Sequence, residues 1–211
     1  MTSTPRIFVD VDTQVDFCEP GGALFVAGAP AVMEACRALV RVAQRRGQLI
    51  VGSVDSHAFN AWEFNTVLTD GKPGPFPPHC VKGTPGWLKV AGTLADRAWF
   101  VPNVPHDVNP PPGAAGLYFE KEVYSLFANP NAAGLLRRAV ADRAAPVFTV
   151  FGVATDYCVK AACEGLLELA VGEVELVTDA VAAVVPAEGE RVVAGLASRG
   201  VRLVRAADVV G

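Results

Sequence analysis

Short apolar runs alternate with stretches of helical spacing from Arg6 to the end of the chain. Residues 6–11 (RIFVDV) form a β-branched run ending in acids, which predicts a buried strand. Residues 29–46 place Val32, Ala35, Cys36, Leu39, Val40 and Val42 three and four apart. That spacing predicts a helix, with Gly47 as its stop. Residues 48–54 (QLIVGSV) predict a second strand, 98–101 a third and 116–119 a short fourth. A helix is predicted at 131–143 and a strong strand at 146–152 (PVFTVFG). Residues 155–171 return to helical spacing through Cys158, Val159, Ala162, Leu166 and Leu169. A strand at 173–177, a helix at 186–198 with Pro186 suited to its first turn, and a strand at 201–204 complete the pattern.

Strands alternating with helices predict an α/β fold. The expected form is a three-layer α/β/α, Rossmann-like arrangement around a mostly parallel central sheet of about six strands. Residues 60–86 and 103–113, rich in Pro and Gly, interrupt it. Loops of that length inside a compact domain are usually functional. In an open α/β sheet, ligands bind beyond the carboxyl ends of the strands. That rule directs attention to Asp12 and Asp16, to Asp55 and His57, to Lys121, and to residues 153–158.

Composition narrows the function. The chain has 211 residues and a mass of 22.1 kDa, so residues 1–211 are expected to form a single domain. With 51% hydrophobic and 19% charged residues, a packed core is expected and disorder is excluded. A net charge of -4 argues against nucleic acid as a partner, since that role needs a basic footprint. No long uncharged apolar run is present, so no membrane span or membrane partner is expected. The polar residues 1–6 do not read as a secretory signal. The five cysteines (Cys18, Cys36, Cys80, Cys158 and Cys163) are odd in number and contain no C-x-x-C pair. A disulfide framework is therefore a poor reading, and a reducing, cytoplasmic location is expected.

Four places could carry chemistry. Cys158, in GVATDYC, falls between a strong strand and a helix. The helix mouth there would favour a thiolate, and its free N–H groups could receive an oxyanion. The same cysteine also fits the apolar stripe of a core helix. Asp10, Asp12 and Asp16 crowd the end of the first strand, an arrangement that suits proton transfer or simply solvated caps. Asp55, His57, Glu63 and His79 bring two imidazoles and two carboxylates into one stretch. That mixed set suits Zn²⁺, Mn²⁺ or Fe²⁺, although structural hydrogen-bonding histidines would look the same. Lys121 stands at a strand end between Glu120 and Glu122. It could lower a thiol's pKa and hold a carboxylate, or be a surface lysine. His106, among prolines, reads as a surface residue.

Taken together, VDTQVDFC (11–18), DSH (55–57), PPHCVKGTPG (77–86) and GVATDYCV (152–159) resemble the nicotinamidase (pyrazinamidase) branch of the isochorismatase-like cysteine hydrolases. The four stretches occur in that family's order. The resemblance implies an isochorismatase-like fold and a catalytic triad of Asp12, Lys121 and Cys158. It also implies a cis Val153–Ala154 peptide, with an oxyanion hole at the Ala154 and Cys158 N–H groups. It implies one divalent metal ion, zinc with iron or manganese as alternatives, held by Asp55, His57, Glu63 and His79, beside a metal and substrate loop at about 58–86. Glu63 stands where the family often has histidine. Phe17, Leu24, Phe76, Tyr124 and Tyr157 are expected to line the substrate site, with Phe76 where tryptophan is common. Glu122 replaces the small residue that often follows the lysine. The implied activity is hydrolysis of nicotinamide to nicotinate and ammonia through a cysteine thioester, in pyridine nucleotide salvage. Another small-amide or carbamoyl hydrolase is the alternative, and a scaffold kept only for binding or assembly the non-enzymatic one. A small-molecule amide is the expected partner, and self-association is left open.

Overall fold

The computed structural model describes residues 5–106, 109–141 and 144–211. Most of the polar N-terminal stretch, part of the 103–113 loop and the last two positions of the helix predicted at 131–143 lie outside the described residues. In chain order the first elements are β1 (Arg6–Val11), a short α1 (Val15–Cys18), α2 (Ala29–Arg45) and β2 (Ile50–Asp55). Then come β3 (Leu68–Thr69), β4 (Lys72–Pro73), β5 (Ala98–Val101), β6 (Gly116–Lys121) and α3 (Ala132–Val140). The remainder is β7 (Val147–Val153), α4 (Lys160–Leu169), β8 (Glu173–Ala182), α5 (Pro186–Ser198), β9 (Arg202–Val204) and α6 (Ala206–Val210).

Seven strands form one sheet in the order β5-β6-β2-β1-β7-β8-β9, against the six or so expected. Every neighbouring pair in it is parallel. The edge strands β5 and β9 have only four and three residues and fall where apolar runs were expected at 98–101 and 201–204. Central strands are buried on both faces, which is why they read as continuous apolar runs. Ile7, Val9 and Val11 of β1 face a core shared with α3, α4 and α5. Phe8 faces a second core with Met33, Leu39 and Val40 of α2 and Val209 of α6. The result is the three-layer α/β/α arrangement.

Two local features depart from the expected elements. Within the 60–86 loop, Asp70 (φ 52°) and Gly71 (φ 75°) close the small antiparallel hairpin of β3 and β4. Asp-Gly tolerates two successive positive φ values, the requirement of a tight hairpin turn. The helix expected from residue 155 opens instead with a π-helical turn at Thr155–Val159, which then runs into α4.

The chain leaves β1 for β2 on one side of the sheet, while β7 lies on the other side of β1. This is the point where strand order reverses, and a crevice opens beyond the strand ends there. Asp12 follows β1, Asp55 ends β2, Lys121 ends β6 and Cys158 follows β7.

Candidate active site

Lys121 sits at the centre of the crevice and is completely buried. Its Nζ lies 2.9 Å from Asp12 Oδ2 and 3.6 Å from Cys158 Sγ, and it also pairs with Asp55. The structure thus brings Asp12, Lys121 and Cys158 together from three strand ends. The alternative of a surface lysine is overturned, because Lys121 meets anionic partners in the interior. Burial would push its pKa down, but Asp12, Asp55 and Cys158 outweigh it and hold the ammonium form well above its usual range.

The acids respond differently. Burial raises the Asp12 carboxyl, with Lys121 pulling the other way. Both Asp12 oxygens are buried without an aligned hydrogen-bond donor among the described residues. At Asp55 burial also acts upward, but Lys121 and His57 overcome it and the carboxyl is lowered. Asp12 adopts φ 45°, turning the chain as it leaves β1. The expected stabilised thiolate is not what the resting geometry favours. Burial raises the Cys158 thiol well above its usual value; Lys121 lowers it, but Asp12 and Asp55 raise it further. The π-helical turn leaves the thiol beside carboxylates, whose charge counters the benefit of a helix mouth.

Asp55, His57 and His79 present ligand atoms all within 4.8 Å of one another. His57 Nδ1 is buried without a hydrogen-bond partner among the described residues, and its Nε2 faces the carboxylates of Asp55 and Glu63. His79 Nδ1 lies 2.8 Å from the Pro77 carbonyl oxygen, which fixes the tautomer and leaves Nε2 free toward the cluster. Glu63 Oε1 lies 3.0 Å from His57 Nε2 and 3.4 Å from His79 Nε2. Buried N and O donors converging this closely from Asp55, His57 and His79 fit a divalent cation. The tightest group holds three of the four expected ligands, and Glu63 stands against both imidazoles. Burial lowers the His57 pKa, but Asp55 and Glu63 outweigh that and push it up to about 9.

A cavity of about 330 Å³ opens above these groups. Phe17, Leu24, Phe76, Tyr124 and Tyr157 all line it, as do Val153, Ala154 and Cys158. Phe17 and Phe76 set their rings 5.7 and 5.9 Å from that of His79. Tyr124 and Tyr157 pair at the rim with ring centroids 5.2 Å apart. Asp12, His57 and Lys121 lie beneath the floor. The Val153–Ala154 peptide is cis, and His106 is exposed.

Gln14 and Asp156 received no role from the sequence, and Asp16, read there as a proton-transfer acid or a cap, proves to be a structural tie. Gln14 Nε2 donates to the Asp55 and Trp87 carbonyls, while its Oε1 accepts from Asp55 N–H at 2.8 Å. It therefore ties the end of β1 to the end of β2. Asp16 accepts from Cys80 N–H at 2.7 Å and Ala23 N–H at 3.0 Å, holding the His79 segment against the cavity wall. Asp156 accepts from Val184 and Val185 N–H groups and so keeps Val184 over the opening. All three lie inside the quoted motifs, but their targets are backbone groups far away in sequence, which no local pattern reveals.

A crevice at the switch point of a parallel sheet is where such folds bind small molecules, and the family that builds this one can be stated. Residues 6–208 match the family model described as an isochorismatase domain, and the chain belongs to the isochorismatase family of hydrolases. Within it the similarity runs to nicotinamidases and pyrazinamidases. The chain is 29% identical to the nicotinamidase of Escherichia coli (strain K12) over 186 residues, covering 83% of this chain and 82% of that one. It is 31% identical to a pyrazinamidase of Pyrococcus horikoshii solved in complex with zinc, with a TM-score of 0.73 and coverage of 95% and 98%. It is 27% identical to PnC1 of L. infantum, solved in complex with nicotinate, with a TM-score of 0.73 and coverage of 98% and 96%. Among the described residues, no helix is long and apolar enough to cross a membrane.

Proposed function

We propose that this chain hydrolyses nicotinamide to nicotinate and ammonia, with Cys158 as nucleophile, Asp12 as proton carrier and Lys121 as the cation that holds them. The observation carrying this reading is the buried contact of Lys121 with Asp12 and Cys158 at the floor of an aromatic cavity. Asp12 accepts the Cys158 proton, and the sulfur attacks the amide carbonyl carbon. The Ala154 and Cys158 N–H groups receive the developing oxyanion. As the C–N bond breaks, Asp12 returns its proton to the nitrogen and ammonia leaves a thioester. A water then loses a proton to Asp12 and attacks that carbonyl; the C–S bond breaks, nicotinate is released, and the proton returns to sulfur. The raised Asp12 carboxyl suits this shuttle, because a carboxylate of ordinary acidity is a weak base toward a thiol. The raised Cys158 thiol gives Asp12 a proton to remove for sulfur to attack.

Asp55, His57 and His79, with Glu63 beside them, would hold one divalent cation; the zinc of the Pyrococcus relative supports zinc. Such an ion supplies Lewis acidity and a point to which a ring nitrogen can bind. Phe17 and Phe76 offer apolar faces for a planar ring. The five free thiols suit a reducing cytoplasm. Residues 1–211 act in this reading as one catalytic domain with the 58–86 loop as its metal and substrate wall. Ammonia release from nicotinamide tests the proposal. The expected result is turnover that a chelator abolishes and added Zn²⁺, Mn²⁺ or Fe²⁺ restores. Absence of turnover by metal-loaded protein, with release from other small amides, would move the assignment to a sister amidase; release from none would leave only a binding scaffold.

A further inference from the structure

The cavity's charges are unevenly balanced. Its lining includes four ionisable groups at neutral pH besides tyrosine and cysteine: Asp55, Glu63, His79 and Glu122. No lysine or arginine lines it among the described residues. Asp55 is answered by Lys121, and Glu63 by His57 and His79. A divalent ion at that cluster would neutralise the same two carboxylates. Glu120, one residue before Lys121, pairs with Lys82 at 2.6 Å. Glu122 makes no ion pair or hydrogen bond with any described residue. It is half-buried at the end of β6, where the chain turns from the floor toward the rim.

The same cavity is lined by two aromatic rings, Tyr124 and Tyr157, which pair with centroids 5.2 Å apart. Tyr124 and Tyr157 are 47% and 39% exposed, so their rings remain open to a substrate group leaving the cavity. Ring faces attract cations, and a partly desolvated carboxylate adds to that attraction while repelling anions. An acid and a tyrosine pair on one rim make a receptor for a positively charged substituent.

We infer that Glu122, with Tyr124 and Tyr157, makes the site selective for aromatic carboxamides whose outward-facing substituent is neutral or cationic, and turns away those carrying an anionic one. This rests on the amidase reading and deepens it. The carboxamide meets Cys158, the ring lies between the apolar walls, and the substituent projects between Glu122 and the tyrosines. Charge at the rim, rather than pocket size, then separates substrates of equal shape.

Three pyridine-3-carboxamides test it, alike except for a methyl, aminomethyl or carboxylate substituent at one ring position. Binding is measured by calorimetry in the Cys158→Ala background, and kcat/KM in protein with Cys158 intact. The aminomethyl compound is expected to be preferred over the carboxylate by about tenfold or more at low salt. Glu122→Gln should bring that ratio to within about twofold, and Glu122→Lys should reverse it. The ratio should also shrink as ionic strength rises. An unchanged ratio in both variants would overturn the inference. If the unmodified chain hydrolyses neither nicotinamide nor any of the three, the amidase reading falls, while the binding ratio in the Cys158→Ala background still decides whether Glu122 selects by charge.

Discussion

Asp12 carries two protons in succession in the proposed cycle, so its environment sets the rate. Burial raises its carboxyl, and Lys121 limits the rise. Because only the ionised form accepts the thiol proton, kcat/KM should fall as pH drops through a value above ~4, the ordinary carboxylate midpoint. Asp12→Asn should lose about 10²–10⁴-fold in kcat/KM and keep its fold by circular dichroism. Activity within a few-fold of the unmodified chain would remove Asp12 from the mechanism. At this scale the sequence was informative about which residues matter and silent about their state. Asp12, Asp55, His57 and Cys158 were marked by their place after strands. Lys121 was marked in the same way, but its place alone left a surface lysine open until the resemblance assigned it a role. Its burial depends on Asp12 and Asp55, which are distant in sequence. The Cys158 thiol, raised rather than lowered, shows the same limit: burial raises it first, and Asp12 and Asp55 add to that against Lys121.

Elements place these groups through a few non-local ties. Gly152 has φ 119° where β7 passes β1, and a β-carbon there would overlap the Val11 carbonyl oxygen. Only glycine allows the approach that sets Val153 and Ala154 at the cavity. The register between β7 and β8 shifts at this point, and β8 continues to Ala182 rather than stopping near residue 177. Local apolar pattern could not show that extension, since Thr178 and Asp179 interrupt it. Lys89, just beyond the 60–86 loop, reaches back under the sheet to Asp10 at 2.7 Å, and both side chains are buried. It anchors the end of the loop segment to the strand that carries Asp12. Lys89→Met should destabilise the fold by about 3–5 kcal/mol in urea unfolding, because it strands a buried carboxylate. Adding Asp10→Asn to that variant should recover part of the loss. Equal stability of Lys89→Met and the unmodified chain would show the pair to be unimportant.

Across the whole molecule, the site is a consequence of strand order. A parallel sheet whose order reverses between β2, β1 and β7 brings the ends of four strands to one crevice, and each end contributes one ionisable group. The alternation of strands and helices was legible because central strands buried on both faces must be apolar throughout. The short edge strands at 98–101 and 201–204 were legible too, but the hairpin in the loop was not, since strands of two residues carry little pattern. The central claim is that sulfur chemistry occurs at the meeting point of these strands. Intact-mass spectrometry of protein acid-quenched during turnover of nicotinamide tests it most directly. The account predicts a pyridine-3-carbonyl adduct on the peptide containing Cys158, and neither adduct nor ammonia release from Cys158→Ala. Ammonia release by Cys158→Ala at the rate of the unmodified chain, with no adduct on either, would contradict it.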